Sequence, residues 1–181
     1  MNLLIKTLRL TLRPWEDHDR DTFAALHADP DVMQDLRTTL SRAESDAKFD
    51  RYRQAYLTDG YCRWAAEAAS GEVLGYAGLM QAPADHPLGP HADIAWRFSR
   101  DAWGAGYATE AASGALQDGF ERVGLSQVYA YTDANNMKAQ AVMRRLGLHP
   151  EPTLDFTIGT QGRQLVWSAH PHGVRIARRG G

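Results

Sequence analysis

Between Tyr107 and Arg122 the small apolar residues recur with the period of a helix. Ala108, Ala111, Ala112, Ala115, Leu116, Gly119 and Phe120 fall at i, i+3, i+4, i+7, i+8, i+11 and i+12, one stripe at about 3.6 residues per turn. A stripe built of alanine and glycine lets a helix lie close against a sheet. Gly124 ends the run. Strands flank it. Ala92–Ser99 alternates, with Ile94, Trp96 and Phe98 on one face, and Gln127–Thr132 reads as a second strand. Strand, helix, strand in this order is a crossover between parallel strands.

The other segments extend this unit into a mixed sheet. Leu8, Leu10 and Leu12 alternate with polar residues until Pro14, the pattern of a half-buried strand. Asp17 and Asp19 are placed to cap a helix that runs to about Ala28, with Phe23 and Leu26 inward, and Asp29-Pro30-Asp31 breaks it. Ser41 and Glu44 form a capping box, and the helix they open carries Phe49, Tyr52 and Tyr56 at helical spacing. Cys62–Ala68 and Glu72–Leu79 flank Ala-Ser-Gly and read as a hairpin. Residues 136–146 are helical, with Ala139, Val142, Met143 and Leu146 inward and Gly147 as the left-handed stop. Gln164–Ala169 is the last strand, after a loop or hairpin partner near 153–159. The fold class is α/β with a mixed sheet: an antiparallel meander, then strand, helix, strand, helix, strand. One domain is expected over residues 1–172, with a basic, poorly ordered tail over 173–181.

Composition narrows the function. Against 22 Asp+Glu stand 20 Lys+Arg, a net charge of −2, which argues against a nucleic-acid binder held by bulk charge. No apolar run approaches the ~20 residues of a membrane span. Lys6 and Arg9 interrupt the opening Leu3–Ile5 before it could form a signal-peptide core. The single cysteine, Cys62, allows neither an intrachain disulfide nor a Cys-based zinc site, so a cytoplasmic location is expected. His170 and His172 lack a convincing local carboxylate and are not read as a metal site. Three prolines make a loop of residues 81–91.

Residues 99–111, SRDAWGAGYATEA, join the strand to the strong helix. Two glycines let N–H groups turn toward one point and let a ligand come close. The helix N-terminus adds partial positive charge, so the segment suits a phosphate. A tight turn with no ligand fits the glycines equally well. A dinucleotide fingerprint fits less well, because its third glycine position is Thr109. A nucleoside-triphosphate loop is excluded, because no Gly-Lys-Ser/Thr follows.

Gly104–Ala111 (GAGYATEA) resembles the pyrophosphate-binding loop of the GCN5-related N-acetyltransferase superfamily. Thr7–Pro14 (TLRLTLRP) and the Asp-Pro-Asp-Val-Met that ends at Met33 resemble its ribosomal-protein N-terminal-acetyltransferase subfamily. Gly71–Leu79 (GEVLGYAGL) resembles its central hairpin, and Asn136–Gly147 (NMKAQAVMRRLG) its second cofactor helix. The four stand in order over roughly residues 7–169.

The resemblance implies that strands 92–99 and 127–132 splay apart and that acetyl-CoA is the co-substrate, with no metal. Its pantetheine arm would enter the gap against the backbone of Phe98, Ser99 and Arg100. Its pyrophosphate would sit on the N–H groups of Gly104, Ala105, Gly106, Tyr107, Ala108 and Thr109. Asn136 would hold the pantetheine, and Arg144 or Arg145 a phosphate; a solvated helix face is the other reading of the two arginines. Asp101 stands where relatives often carry Gln or Arg, so Arg100 or Trp103 is expected to fill that role. Ala139 stands where relatives often carry the Ser proposed to protonate the leaving thiolate.

The implied activity is acetyl transfer to a primary amine, on a small molecule or a peptide, by direct attack. Such a reaction needs alignment, a polarised carbonyl and a proton acceptor. Asp93 stands where the subfamily often has a Glu and is the first candidate for that acceptor. An ion pair with Arg97, on the same strand face, is its structural alternative. His91 and Glu67 are further candidates, and Cys62 reads as core. Residues 16–57, 81–91 and 153–163 would border the acceptor. A homodimer is compatible with this, and Ala139 leaves a non-catalytic acyl-CoA-binding module as the alternative.

Overall fold

The computed structural model describes residues 3–159 and 162–174. Strands β1 (Ile5–Lys6) and β2 (Leu10–Arg13) open the chain, followed by helices α1 (Arg20–Ala28) and α2 (Arg42–Asp59). The meander β3 (Arg63–Ala68), β4 (Val73–Gln81), β5 (Ala92–Phe98) comes next. Helix α3 (Tyr107–Glu121), strand β6 (Val128–Asp133) and helix α4 (Met137–Leu146) complete the crossover unit. The closing strands are β7 (His149–Pro150), β8 (Phe156–Thr157) and β9 (Arg163–Ala169). The strand order is β1-β2-β3-β4-β5-β6-β9-β7, with β8 also on β9. Among the described residues every pairing is antiparallel except that of β5 with β6.

Side-chain alternation gives the sheet two buried faces. On one, Trp64, Leu79, Ile94 and Phe98 share a core with Ala111, Ala115 and Leu116 of α3 and with Met143 and Leu146 of α4. Leu79 and Leu116 are 1% and 0% exposed, and each such burial is worth about 1.5–3 kcal/mol. The small-residue stripe sets the spacing of this layer. A Cβ on Gly119 would lie 2.2 Å from Leu79 Cδ1, so α3 rests closer to the sheet than a side chain there would permit. On the other face Trp15, Phe23, Leu26, Phe49, Tyr52 and Tyr76 form a second cluster with α1 and α2. Its rings meet edge to face, as Trp15 does Phe23 at 4.9 Å and 87°.

Two local expectations change. Leu8 is 70% exposed, because Thr7 N–H donates to Leu10 O at 2.9 Å and closes a tight turn ahead of β2. Asp19 does not cap α1 with its side chain. Its carboxylate instead accepts from both ends of the Arg13 guanidinium, at 2.7 and 3.0 Å, and from Glu16 N–H at 2.9 Å. Burial raises the Asp19 carboxyl, but the bonds from Arg13 and Glu16 outweigh it and hold it below the usual range. Residues 175–181 of the expected tail lie outside the described residues.

Candidate active site

Strands β5 and β6 are the only parallel neighbours among the described residues, and they are in register at one position, Asp93 opposite Tyr129. Beyond it they part. The β5 backbone from Ile94 to Phe98 keeps β4 on one side and has no strand partner on the other. A sheet interrupted in this way presents unpaired N–H and C=O groups inside the domain, where an extended ligand can satisfy them.

The gap opens toward the glycine loop. Gly104 and Gly106 have φ of 77° and 82°, left-handed values that glycine adopts without strain. Residues 103–106 are exposed. A Cβ on Gly104 would meet nothing within 4 Å, so the loop is a cradle with free space above it. Helix α3 begins at Tyr107, and Glu110 N–H makes the bond back to Gly106 O at 3.0 Å. Tyr107, Ala108 and Thr109 belong to the first turn, where N–H groups lack a carbonyl four residues back. Anion binding suits this point.

Arg9 fixes that loop, and sequence reasoning missed it. Its Nε donates to Glu110 Oε2 at 2.7 Å, its Nη1 to Ala105 O at 2.9 Å, and its guanidinium lies 4.3 Å from the Tyr107 ring. Glu110 also accepts from Thr7 Oγ1 and Arg9 N–H, each at 2.6 Å. Burial raises the Glu110 carboxyl, but these bonds and the Arg9 charge hold it below the usual carboxylate range. A carboxylate beside an anion site is thereby neutralised by a cation touching the same loop. The signal in the sequence was Glu110 itself, an acid in the first turn of a helix expected to hold phosphate.

Trp103 reaches back to the end of β5. Its Nε1 donates to Phe98 O at 2.9 Å, and Lys138 Nζ from α4 lies 4.4 Å from its ring. Ser99 N–H donates to Leu74 O at 2.9 Å. The Trp103 bond takes Phe98 O, while the Ser99 bond runs to β4 and leaves the gap side of β5 as it is. Arg100 turns away from the loop to Asp31 at 2.6 Å and Asp29 at 3.3 Å. Asn136 caps α4, its Oδ1 accepting from Ala139 N–H at 3.1 Å. Arg145 is exposed, and Arg144 reaches Gln140 Oε1 at 3.4 Å.

On the α1/α2 face of the gap, Asp93 is 8% exposed. It pairs with Arg63 at 2.6 Å, and Arg97 pairs instead with Asp35 at 2.9 Å. The expected Asp93–Arg97 pair is corrected by this. Arg97 lies at the far end of β5, beneath the segment after α1, and register alone does not show that crossing chain. Asp93 Oδ2 also accepts from Tyr131 O–H at 3.1 Å. Burial, then the Asp93 charge, pushes the Tyr131 phenol up, so it stays protonated. Glu67 is held by Arg13 at 2.6 Å, away from the gap. Cys62 is buried, and burial pushes its thiol up, which suits core packing rather than nucleophilic attack. His91 lies among the rings of Tyr129, Tyr131 and His86. No helix among the described residues is long and apolar enough to cross a membrane.

Comparison with known proteins agrees with this architecture. The model of the acetyltransferase (GNAT) domain family matches residues 9–149. An uncharacterised Bacillus subtilis protein, YkkB, is 32% identical over 150 residues, 82% of this chain and 86% of its own. FsC-acetyl coenzyme A-N(2)-transacetylase of Aspergillus fumigatus is 30% identical over 151 residues, 80% of this chain and 64% of its own. The crystal structure of an acetyltransferase from Agrobacterium tumefaciens superposes with a TM-score of 0.80 at 24% identity, covering 93% of this chain and 94% of that one. The chain belongs to the GNAT family and is an N-acetyltransferase.

Proposed function

We propose that the protein transfers the acetyl group of acetyl-CoA to a primary amine by direct attack in a ternary complex. One observation carries this: the strand splay opens onto a positive-φ glycine loop at the start of α3, with the cations Arg9 and Lys138 beside it. The residues fit the co-substrate. Its pyrophosphate would lie on the loop from Gly104 to Thr109, its pantetheine along the open edge of β5, and Arg145 would reach a phosphate from α4. Asn136, with its oxygen used in the cap, has an amide N–H free in kind to meet the pantetheine. Acetyl-CoA supplies the thioester carbonyl that the amine attacks. Neither serine nor cysteine is needed as a nucleophile, since a neutral amine attacks a thioester unaided once aligned.

The acceptor would approach on the α1/α2 face, where Asp93, Tyr131 and His91 stand. Asp93 has one oxygen taken by Arg63 and Tyr131, so its proposed part is to orient the phenol. Small-molecule and peptide amines both fit this description. The test is calorimetry with acetyl-CoA, followed by thiol release with a panel of amines. Saturable binding and release with at least one amine is expected. Binding without release across the panel would instead identify a non-catalytic acyl-CoA-binding module.

A further inference from the structure

His86 and His91 hold opposite tautomers, and each leaves one buried nitrogen without a partner. Their rings lie 4.7 Å apart at 72°. A backbone N–H can only donate. Leu88 N–H donates to His86 Nδ1 at 3.2 Å, so neutral His86 carries its proton on Nε2. A carbonyl can only accept. His91 Nδ1 lies 2.8 Å from Gly89 O, so His91 carries its proton on Nδ1 and leaves a lone pair on Nε2. Both Nε2 atoms are buried, with no hydrogen-bond partner among the described residues. Side by side stand one unused donor and one unused acceptor, each of a kind that costs free energy to bury alone.

Both histidines stand beside the paired end of β5 and β6, on the face proposed above for the acceptor. His91 lies two residues before Asp93, immediately ahead of β5. It meets the Tyr129 ring at 5.4 Å and the Tyr131 ring at 5.9 Å. His86 lies 4.9 Å from Tyr131 and 5.1 Å from Phe156. The titratable groups facing the pair are thus Tyr129 and Tyr131 from β6 and Asp93 from β5, whose charge Arg63 offsets. Asp85 acts on His86 from its own loop. Burial and then His91 hold the His86 imidazole below its ordinary value, against the opposite pull of Asp93 and Asp85.

We propose that His91 Nε2 takes the proton from the acceptor amine, while His86 Nε2–H donates to an oxygen adjacent to that amine. This rests on the acetyl-transfer function proposed above and names its proton acceptor and its substrate class, an amine with a neighbouring carbonyl. The acceptor arrives as an ammonium and gives one proton to His91. The freed lone pair forms the C–N bond as the C–S bond breaks. The thiolate leaves with the C–S electron pair and takes the second proton from the acylated nitrogen. His91 then returns its proton to solvent.

The first test uses no variant. Long-range 1H–15N correlation on the full-length protein at pH 8 should show His86 as the Nε2–H tautomer and His91 as Nδ1–H. Finding His91 protonated on Nε2 overturns the proposal. The second test compares alaninamide with propylamine as acceptors. Alaninamide should be preferred, and His86→Phe should abolish that preference; no preference in the wild type would remove the role of His86. His91→Asn keeps an N–H for Gly89 O but has no second nitrogen. At pH 7 it should lower kcat with alaninamide by about five- to ten-fold, the reciprocal of the neutral share of an α-amine there. The loss should shrink above pH 9, with acetyl-CoA affinity unchanged. An unaltered kcat, or an equal loss at every pH, contradicts the assignment to His91. Absence of acetyl-CoA binding in the wild type would instead overturn the underlying function.

Discussion

Asp93 Oδ2 and Arg63 Nη2 lie 2.6 Å apart, tying β5 to β3 across β4. In the register Gly78 stands opposite Arg63, so no side chain obstructs the guanidinium as it crosses. The two side chains are 12% and 7% exposed. Removing one partner of such a pair strands the other charge, at a cost of about 3–5 kcal/mol. Asp93→Asn should therefore lower the melting temperature sharply, and adding Arg63→Met should restore part of it. With His91 as proton acceptor, Asp93→Asn should lower kcat by the same factor from pH 6 to 9. A loss that fades at high pH, where the amine sheds its own proton, would make Asp93 the acceptor instead.

Arg9 and Glu110 invite a similar cycle at the cofactor loop. Arg9→Gln leaves the buried Glu110 carboxylate, 8% exposed, uncompensated beside the pyrophosphate position. The acetyl-CoA dissociation constant should rise about ten-fold or more, since one lost charge-assisted contact is worth about 1.5–3 kcal/mol. The double variant Arg9→Gln with Glu110→Gln should bind more tightly than Arg9→Gln alone. Equal affinities would show that Arg9 acts without Glu110.

Asn136 has a cap role in the structure and a pantetheine role by proposal, and two substitutions separate them. Asn136→Ala removes the cap and should cost about 1 kcal/mol of stability. Asn136→Asp keeps an oxygen for Ala139 N–H but has no amide N–H. If the pantetheine role holds, Asn136→Asp should retain the melting temperature and raise the acetyl-CoA dissociation constant at least five-fold. Titration calorimetry beside a thermal melt distinguishes the two.

His27 is fully buried, with Nδ1 2.8 Å from Phe23 O and Nε2 3.3 Å from the Tyr76 hydroxyl. Burial, and then the charge of Lys48, push its imidazole down to about 3. The unfolded chain takes up this proton near pH 6.5 and the folded chain only near 3. Stability from this site is thus intact above about pH 6.5 and falls as the pH drops from there, by at most about 1.4 kcal/mol per unit. Urea midpoints between pH 7 and 4 should show that fall, and His27→Gln should flatten it. An acid limb unchanged in the variant would place its origin elsewhere.

Periodic features were legible in the sequence. The stripe on α3, the Ser41–Glu44 capping box and the alternation of β5 all arise from local spacing, and each stands in the structure. The glycine loop was legible for the same reason. Pairings between distant segments were not. Arg9 lies 101 residues from Glu110, and Arg97 takes its carboxylate from Asp35 rather than from its own strand. Such choices depend on which chain crosses which strand, and no period encodes that. His86 sits in the proline-rich 81–91 segment, where the sequence shows a loop but not the turn that folds its ring back onto Tyr131.

The most direct measurement is calorimetric titration of acetyl-CoA into the wild type, Gly104→Asn and Gly104→Asp. Both replacements tolerate a left-handed φ better than most residues, and a Cβ at this position meets nothing within 4 Å, so both variants should fold and melt near the wild type. They share a shape and differ by one negative charge. The wild type should bind one equivalent, Gly104→Asn should bind more weakly, and Gly104→Asp should be weaker than Gly104→Asn by about ten-fold or more. No binding by the wild type, or equal affinity in all three folded proteins, would contradict the assignment of this loop to the cofactor pyrophosphate.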